Sequence, residues 1–187
     1  MKYARIERER RFLLANAPAE TVVTRTRQIT DRYILGTRLR LRRVCDVSTG
    51  ACELKLTQKI PGGQPGHVQG MITNTYLSST EYDLLATLPA AVLCKTRLNI
   101  PLLGVDVFDP PLHGLVLAEA EFDTDEEARS FRPPLEQLVA EVTDDPRFTG
   151  GSLVQATRGD LLAWLAGYGV KPEDERQPRA EPAIAGP

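Results

Sequence analysis

Charged residues in this chain recur at every second position. Glu7, Glu9 and Arg11 do so in one segment, and Arg38, Arg40 and Arg42 in a second. Lys55, Thr57 and Lys59 repeat the spacing, then Lys95 with Arg97, then Glu119 with Glu121. Residues two apart share a side when the chain is extended, so this spacing calls for strands. Apolar residues take the other face: Ile6 and Phe12, Leu39 and Leu41, Leu54 and Leu56, then Val116, Ala118, Ala120 and Phe122. Five strands therefore carry paired charges on one face, the alternation of an antiparallel sheet.

A sheet with one face in water shows the same alternation, which suffices for any one strand. Wet faces, however, mix signs with Thr, Ser and Gln, whereas here one strand offers Arg-x-Arg-x-Arg and two offer Glu-x-Glu. Like charges two apart on a strand lie ~7 Å from each other, which at an effective dielectric near 20 costs ~2 kcal/mol per pair before screening. Inside a closed barrel such faces need an anion among the bases and cations among the acids. The pattern is what a closed sheet requires if its lumen binds a polyphosphate with divalent metals, because hard cations take carboxylate and phosphate oxygens.

Alternation predicts strands over residues 6–14, Thr37–Cys45, Glu53–Lys59, Val68–Leu77, Val92–Ile100, Gly104–Phe108 and Leu115–Phe122. Ser78 with Glu81, and Thr124 with Glu127, have the spacing of capping boxes and open short helices, the second running through Phe131. Residues 134–142 read as a further helical turn or two, and Thr157–Gly167 as a helix with apolar Leu161, Leu162, Trp164 and Leu165. The expected organisation is one domain over 1–155, a helix over 156–170 packed on it, and a Pro-rich, polar, disordered tail over 171–187.

With 187 residues the chain buries enough surface to fold without disulfides or a structural metal. Its net charge of −2 hides an asymmetry: residues 1–60 hold 14 Lys/Arg against 6 Asp/Glu, and the remainder is acidic. A nucleic-acid module would combine such basicity with exposed aromatics, but only 6% of the chain is Phe, Trp or Tyr, so no nucleic-acid partner is expected. No apolar run reaches the ~20 residues of a membrane span. The N-terminal residues lack the apolar core of a secretory signal, so no membrane partner and a cytoplasmic location are expected. Cys45, Cys52 and Cys94 lack paired metal spacing and are expected to be reduced structural thiols, although Cys45 and Cys52 flank a hairpin. His67 and His113 sit in Gly/Pro-containing loops and read as surface residues, and Trp164 as packing between helix and sheet. Residues 61–66 contain glycines without a following Gly-Lys-Ser/Thr, which makes them a turn rather than a P-loop.

The segment Glu7-Arg-Glu-Arg-Arg-Phe-Leu13 resembles the N-terminal Glu-x-Glu-x-Lys signature of the CYTH domain, the triphosphate tunnel metalloenzyme superfamily. The likeness continues in order along the chain. Tyr33 precedes Leu39-Arg-Leu-Arg42, Leu56-Thr-Gln-Lys59 is similar to the Leu-Thr-x-Lys strand, and Lys95-Thr-Arg97 to the Lys-x-Arg element. Val105-Asp-Val-Phe108, the stretch 114–122 and the stretch 141–148 resemble the closing motifs.

The resemblance implies an α+β fold, an eight-stranded antiparallel β tunnel or closed barrel with helices packed outside. It implies Glu7, Glu9, Glu119 and Glu121 as ligands for Mg2+ or Mn2+, with Asp106 a weaker candidate. Arg11, Arg40, Arg42, Lys59, Lys95 and Arg97 would grip phosphate oxygens, and Tyr33 with Lys95 would orient an attacking water. The implied activity is hydrolysis of a small-molecule triphosphate, inorganic tripolyphosphate first. Thiamine triphosphatase, class IV adenylyl cyclase and a non-catalytic polyphosphate-binding module are the alternatives. The oligomeric state is left open. Two departures stand out: Arg11 replaces the signature lysine, which removes a titratable group, and Thr75 stands about where many relatives carry a glutamate.

Overall fold

The computed structural model describes residues 3–63, 65–134 and 136–171. The tail expected over 171–187 lies, apart from Lys171, outside the described residues. Among these residues nine strands form one sheet: β1 (Arg5–Leu14), β2 (Arg25–Ile34), β3 (Leu39–Asp46), β4 (Cys52–Pro61), β5 (Val68–Tyr76), β6 (Ala90–Ile100), β7 (Leu103–Phe108), β8 (Val116–Glu121) and β9 (Leu138–Glu141). Their order is β5-β4-β3-β2-β6-β7-β8-β1-β9, and β5 also pairs with β1, so β1 to β8 close into an antiparallel barrel with β9 outside it. The closed, helix-flanked α+β architecture is the one expected.

The closing seam depends on one glycine. Gly70 has φ +132° and sits opposite Glu7 on β1, where a Cβ would overlap the Ile60 carbonyl oxygen and lie 2.6 Å from the Gly62 nitrogen. Only glycine takes this backbone readily. Without it β5 could not lie close to the end of β4 while pairing β1.

Two strands escape the alternation. β2 carries Thr26, Gln28, Thr30 and Arg32 on one side and Arg27, Ile29, Asp31 and Tyr33 on the other, so neither side is cleanly apolar. Its ten register pairs with β6, and seven with β3, hold it in the wall nonetheless. Within the stretch expected to be helical, Leu138–Glu141 is the strand β9 instead. On one edge β1 pairs β5 only as far as Arg8, and β9 takes that edge from Phe12 to Leu14. The buried backbone there needs hydrogen-bond partners, which a helix at 134–142 could not supply.

Among the described residues four α-helices accompany the barrel: α1 (Ser79–Leu85), α2 (Asp125–Ser130), α3 (Gly150–Leu153) and α4 (Arg158–Gly167). Capping boxes start α1 at Ser78/Glu81, α2 at Thr124/Glu127 and α4 at Thr157/Asp160. None of the described helices is long and apolar enough to cross a membrane.

Apolar side chains among the described residues form two clusters. Outside the barrel, Phe12, Leu103, Val105, Ala118 and Ala120 pack beneath Phe122 and Phe131, whose rings meet edge to face at 5.2 Å. Inside one end, Leu13, Leu93, Phe108 and Leu117 continue the faces that carry the lumen charges, and they pack with Phe148, Leu153, Leu161 and Leu165 from the C-terminal helical segment. Trp164 is half-buried there, edge-on to Phe148 at 6.2 Å. Burying four large side chains of the segment, each worth about 1.5–3 kcal/mol, makes α3 and α4 part of the barrel's own core.

The thiol expectation needs correction. Cys45 and Cys52 are direct cross-strand partners on β3 and β4, Cα atoms 4.1 Å apart, and are joined in a disulfide, while Cys94 is free. Two cysteines that close the same hairpin in register meet whatever the sequence spacing suggests about metals. His67 and His113 are half-buried rather than superficial, since each loop folds against neighbouring structure.

Candidate active site

The inward faces of the strands enclose a cavity of about 1040 Å³. Bases come from one side of the barrel: Arg40 and Arg42 on β3, Lys55 and Lys59 on β4, Lys95 and Arg97 on β6. Carboxylates come from the other: Glu7 and Glu9 on β1, Glu119 and Glu121 on β8. Arg11 stands among the acids, and Arg38 lines the cavity from an exposed position at its rim. Eleven of the twelve residues singled out for the site thus line one cavity, Tyr33 included; Asp106 does not.

The register explains the electrostatics. Glu9 lies directly across from Glu121, and Glu119 directly across from Arg11. Burial pushes the Glu9 carboxyl up to about 7, and Glu119 and Glu7 add to the rise against the pull of Lys59 and Arg11. Its nearest base is Arg11, with Nη1 at 3.7 Å. Burial would raise Glu119 as well, but Arg97, with which it is ion-paired, and Lys95 and Lys59 outweigh it and hold this carboxyl well below the usual range. Glu7 pairs with Lys59 at 2.7 Å. Among the described residues no group of three or more His, Cys, Asp or Glu side chains converges as a ready-made metal cage.

Not all the donors are occupied. The buried Nε atoms of Arg11 and Arg40 make no hydrogen bond within the described residues. Arg11 is otherwise anchored, its Nη2 donating to the Thr143 carbonyl at 2.8 Å and to Gln69 Oε1 at 2.9 Å. Buried donors without acceptors are costly; both arginines line the cavity, and Arg40 Nε lies 3.5 Å from Asp31 Oδ1.

No protein-family model matches the chain, and no curated protein matches it in sequence. Among solved structures it is similar to the inorganic triphosphatase NE1496, with 25% identity and a TM-score of 0.53 over 81% of this chain and 96% of that one. A second structure, titled the hypothetical protein NE1496, shares 26% identity at a TM-score of 0.52, over 81% and 99% of the two chains. PH1819 from Pyrococcus horikoshii OT3 aligns over 91% and 94% at 16% identity and a TM-score of 0.47. The chain has the CYTH, or triphosphate tunnel metalloenzyme, fold.

Within this CYTH tunnel, Tyr33 projects from β2 with its ring partly packed on the apolar cluster at the barrel's end, and its hydroxyl meets Gly150 at the start of α3. Lys95 lies 5.4 Å from the Phe108 ring centroid and is ion-paired with Asp106. The position facing the lumen on β5 belongs to Asn74, cross-strand from Thr57, with Asn74 Oδ1 accepting from the Thr57 hydroxyl at 2.7 Å. Thr75, taken from the sequence to stand in place of a glutamate, points outward because it is one residue out of phase. The tunnel wall on β4 and β5 therefore offers neutral Thr57 and Asn74 beside the acids of neighbouring β1.

Sequence reasoning missed Asp31. It is buried beneath Arg40 and Arg42, and its signal was available: Arg27, Ile29, Asp31 and Tyr33 alternate with Thr26, Gln28, Thr30 and Arg32, a stretch dense in β-branched residues. Gly150 was missed too, since nothing local to residues 149–151 announces contact with β2.

Proposed function

We propose that this chain is a divalent-metal-dependent triphosphatase whose substrate is inorganic tripolyphosphate. The observation that carries the reading is the segregation of charge within one cavity, with bases on β3, β4 and β6 and glutamates on β1 and β8. The likeness to the structure titled as an inorganic triphosphatase supports it.

Glu7, Glu9, Glu119 and Glu121 suit a hard cation. They are all-oxygen donors, Glu9 faces Glu121 across the strands, and burial with Glu119 and Glu7 nearby raises the Glu9 carboxyl to about 7, a cost that a bound cation would offset. When bound, Mg2+ or Mn2+ supplies charge neutralisation for phosphate oxygens and a polarised water. Lys59, which now neutralises Glu7, would then turn to the phosphates.

The chain's own residues do the rest. Arg11, Arg40, Arg42, Lys59, Lys95 and Arg97 hold phosphoryl oxygens, the arginines through two-pronged contacts and the lysines as point charges. Tyr33 and Lys95 orient the water that attacks the terminal phosphorus, and the anhydride bond breaks to release phosphate and pyrophosphate. No side chain serves as covalent nucleophile; positioning and electrostatic stabilisation carry the rate. The test is phosphate release from tripolyphosphate with Mg2+ or Mn2+, compared with ATP and thiamine triphosphate. No release with either metal, or activity surviving the double change Glu7→Gln and Glu9→Gln, would sink the proposal. Conversion of ATP to cyclic AMP would favour a cyclase. Equal thermal stabilisation by tripolyphosphate with and without metal, and no turnover, would leave a binding module.

A further inference from the structure

Four of the tunnel's bases rest on two buried aspartates that do not themselves line the cavity. Asp31 on β2 is directly cross-strand from Arg42 on β3; Asp106 on β7 is directly cross-strand from Arg97 on β6. The two pairs have the same geometry. Arg42 donates Nε to Asp31 Oδ1 at 2.5 Å and Nη2 to Oδ2 at 2.7 Å. Arg97 donates Nε to Asp106 Oδ1 and Nη2 to Oδ2, both at 2.6 Å. Each aspartate also attends a second base, Asp31 with Arg40 Nε at 3.5 Å and Asp106 with Lys95 Nζ. Asp31 and Asp106 are 1% and 0% exposed.

We propose that Asp31 and Asp106 are positioning residues that clamp Arg42 and Arg97 side-on and so preset two halves of the phosphate grip. The proposal rests on the triphosphatase reading and replaces the metal-ligand role considered for Asp106. An acid placed beneath the bases of an anion site reduces its net charge, so attraction alone does not account for it. Orientation does. A side-on clamp occupies the Nε and Nη2 edge of a guanidinium, and no hydrogen bond within the described residues uses Nη1 of Arg42 or Arg97. The free end of each fork is thus fixed before the ligand arrives, and the rotamer freedom of a long side chain need not be lost on binding. Burial favours neutral Asp31, yet Arg42 and Arg40 keep it well below the usual carboxylate range, so the clamp is an ionic one.

The experiment compares tripolyphosphate binding by calorimetry, and KM and kcat with Mg2+, for the full chain and its Asp31→Asn, Asp106→Asn and Arg42→Lys variants. Each aspartate change should weaken binding about 10- to 100-fold, with the loss in KM rather than kcat. Combining Asp31→Asn with Arg42→Lys should weaken binding no further than Arg42→Lys alone, because both remove the same clamp. Folded Asp→Asn variants that bind as tightly as the unaltered protein, or more tightly, overturn the proposal. Should the Asn variants fail to fold, Arg42→Lys decides: it retains the charge but not the fork, and unaltered affinity overturns the clamp. An unaltered protein that binds no tripolyphosphate overturns the triphosphatase reading itself, a result distinct from binding that ignores the aspartates.

Discussion

The hydroxyl of Tyr33 occupies the space that a side chain at position 150 would need. A Cβ on Gly150 would overlap that oxygen, and the next atom of the ring, Cζ, would lie at 3.2 Å. Gly150→Ala should therefore cost about 1–3 kcal/mol of stability by overpacking. In a Tyr33→Phe background the cost should shrink, because only the hydroxyl truly collides. Denaturant unfolding of the two single variants and the double variant checks this; an equal cost in both backgrounds would show that Tyr33 is not what Gly150 accommodates.

Glu9 links pH to stability. Its ordinary value is 4.5 and burial beside Glu119 raises it to about 7, so between these limits the folded protein holds a proton that the unfolded chain has released. Without divalent metal, stability from this group falls as pH rises through that window and is flat above it. Asp31 and Glu119, held low, act oppositely, and their contributions are lost only in acid. Melting temperatures from pH 5 to pH 8 should decline by several degrees, on the order set by ~1.4 kcal/mol per pKa unit, and Glu9→Gln should flatten the decline. Mg2+ should stabilise more at pH 8 than at pH 5. An unchanged slope in Glu9→Gln would remove Glu9 as the cause.

The seam between β1 and β5 should be intolerant of a side chain at position 70. At φ +132° a Cβ would press on the backbone of Ile60 and Gly62, which cannot rotate away as a side-chain tip could. Gly70→Ala should cost about 1–3 kcal/mol from the backbone conformation alone, plus the collision. Hydrogen exchange would locate the damage: protection should fall first along residues 5–8 and 68–72. Uniform loss across the barrel would argue against a local seam.

Leu165 is fully buried between α4 and the barrel's end. Leu165→Ala should destabilise by about 2–5 kcal/mol and lower the midpoint of one cooperative melt. A separate low-temperature transition for α4, with the barrel's melt unchanged, would mean that the helix is an accessory rather than part of the core.

Much of the tunnel is legible in the chain because strand geometry has a period of two. Arg40 and Arg42, or Glu119 and Glu121, must share a face wherever their strand lies, and the capping boxes at Ser78, Thr124 and Thr157 are likewise local. What fails is whatever depends on a neighbour distant in sequence. Residues 138–141 become a strand because β1 has a free edge there, and Asn74 rather than Thr75 faces inward because β5 is in register with β4. The β2 segment hides because both of its faces are mixed.

The sequence by itself determined which side chains share a strand face, where three helices begin, and that bases and acids are segregated. Only the tertiary structure decided which faces meet: Glu9 against Glu121, Asp31 under Arg42, Asp106 under Arg97, Gly150 against Tyr33. The reason is physical. Alternation and capping are properties of a few consecutive residues, whereas register and closure arise from pairing strands far apart in the chain, and the lumen exists only once the sheet has closed on itself.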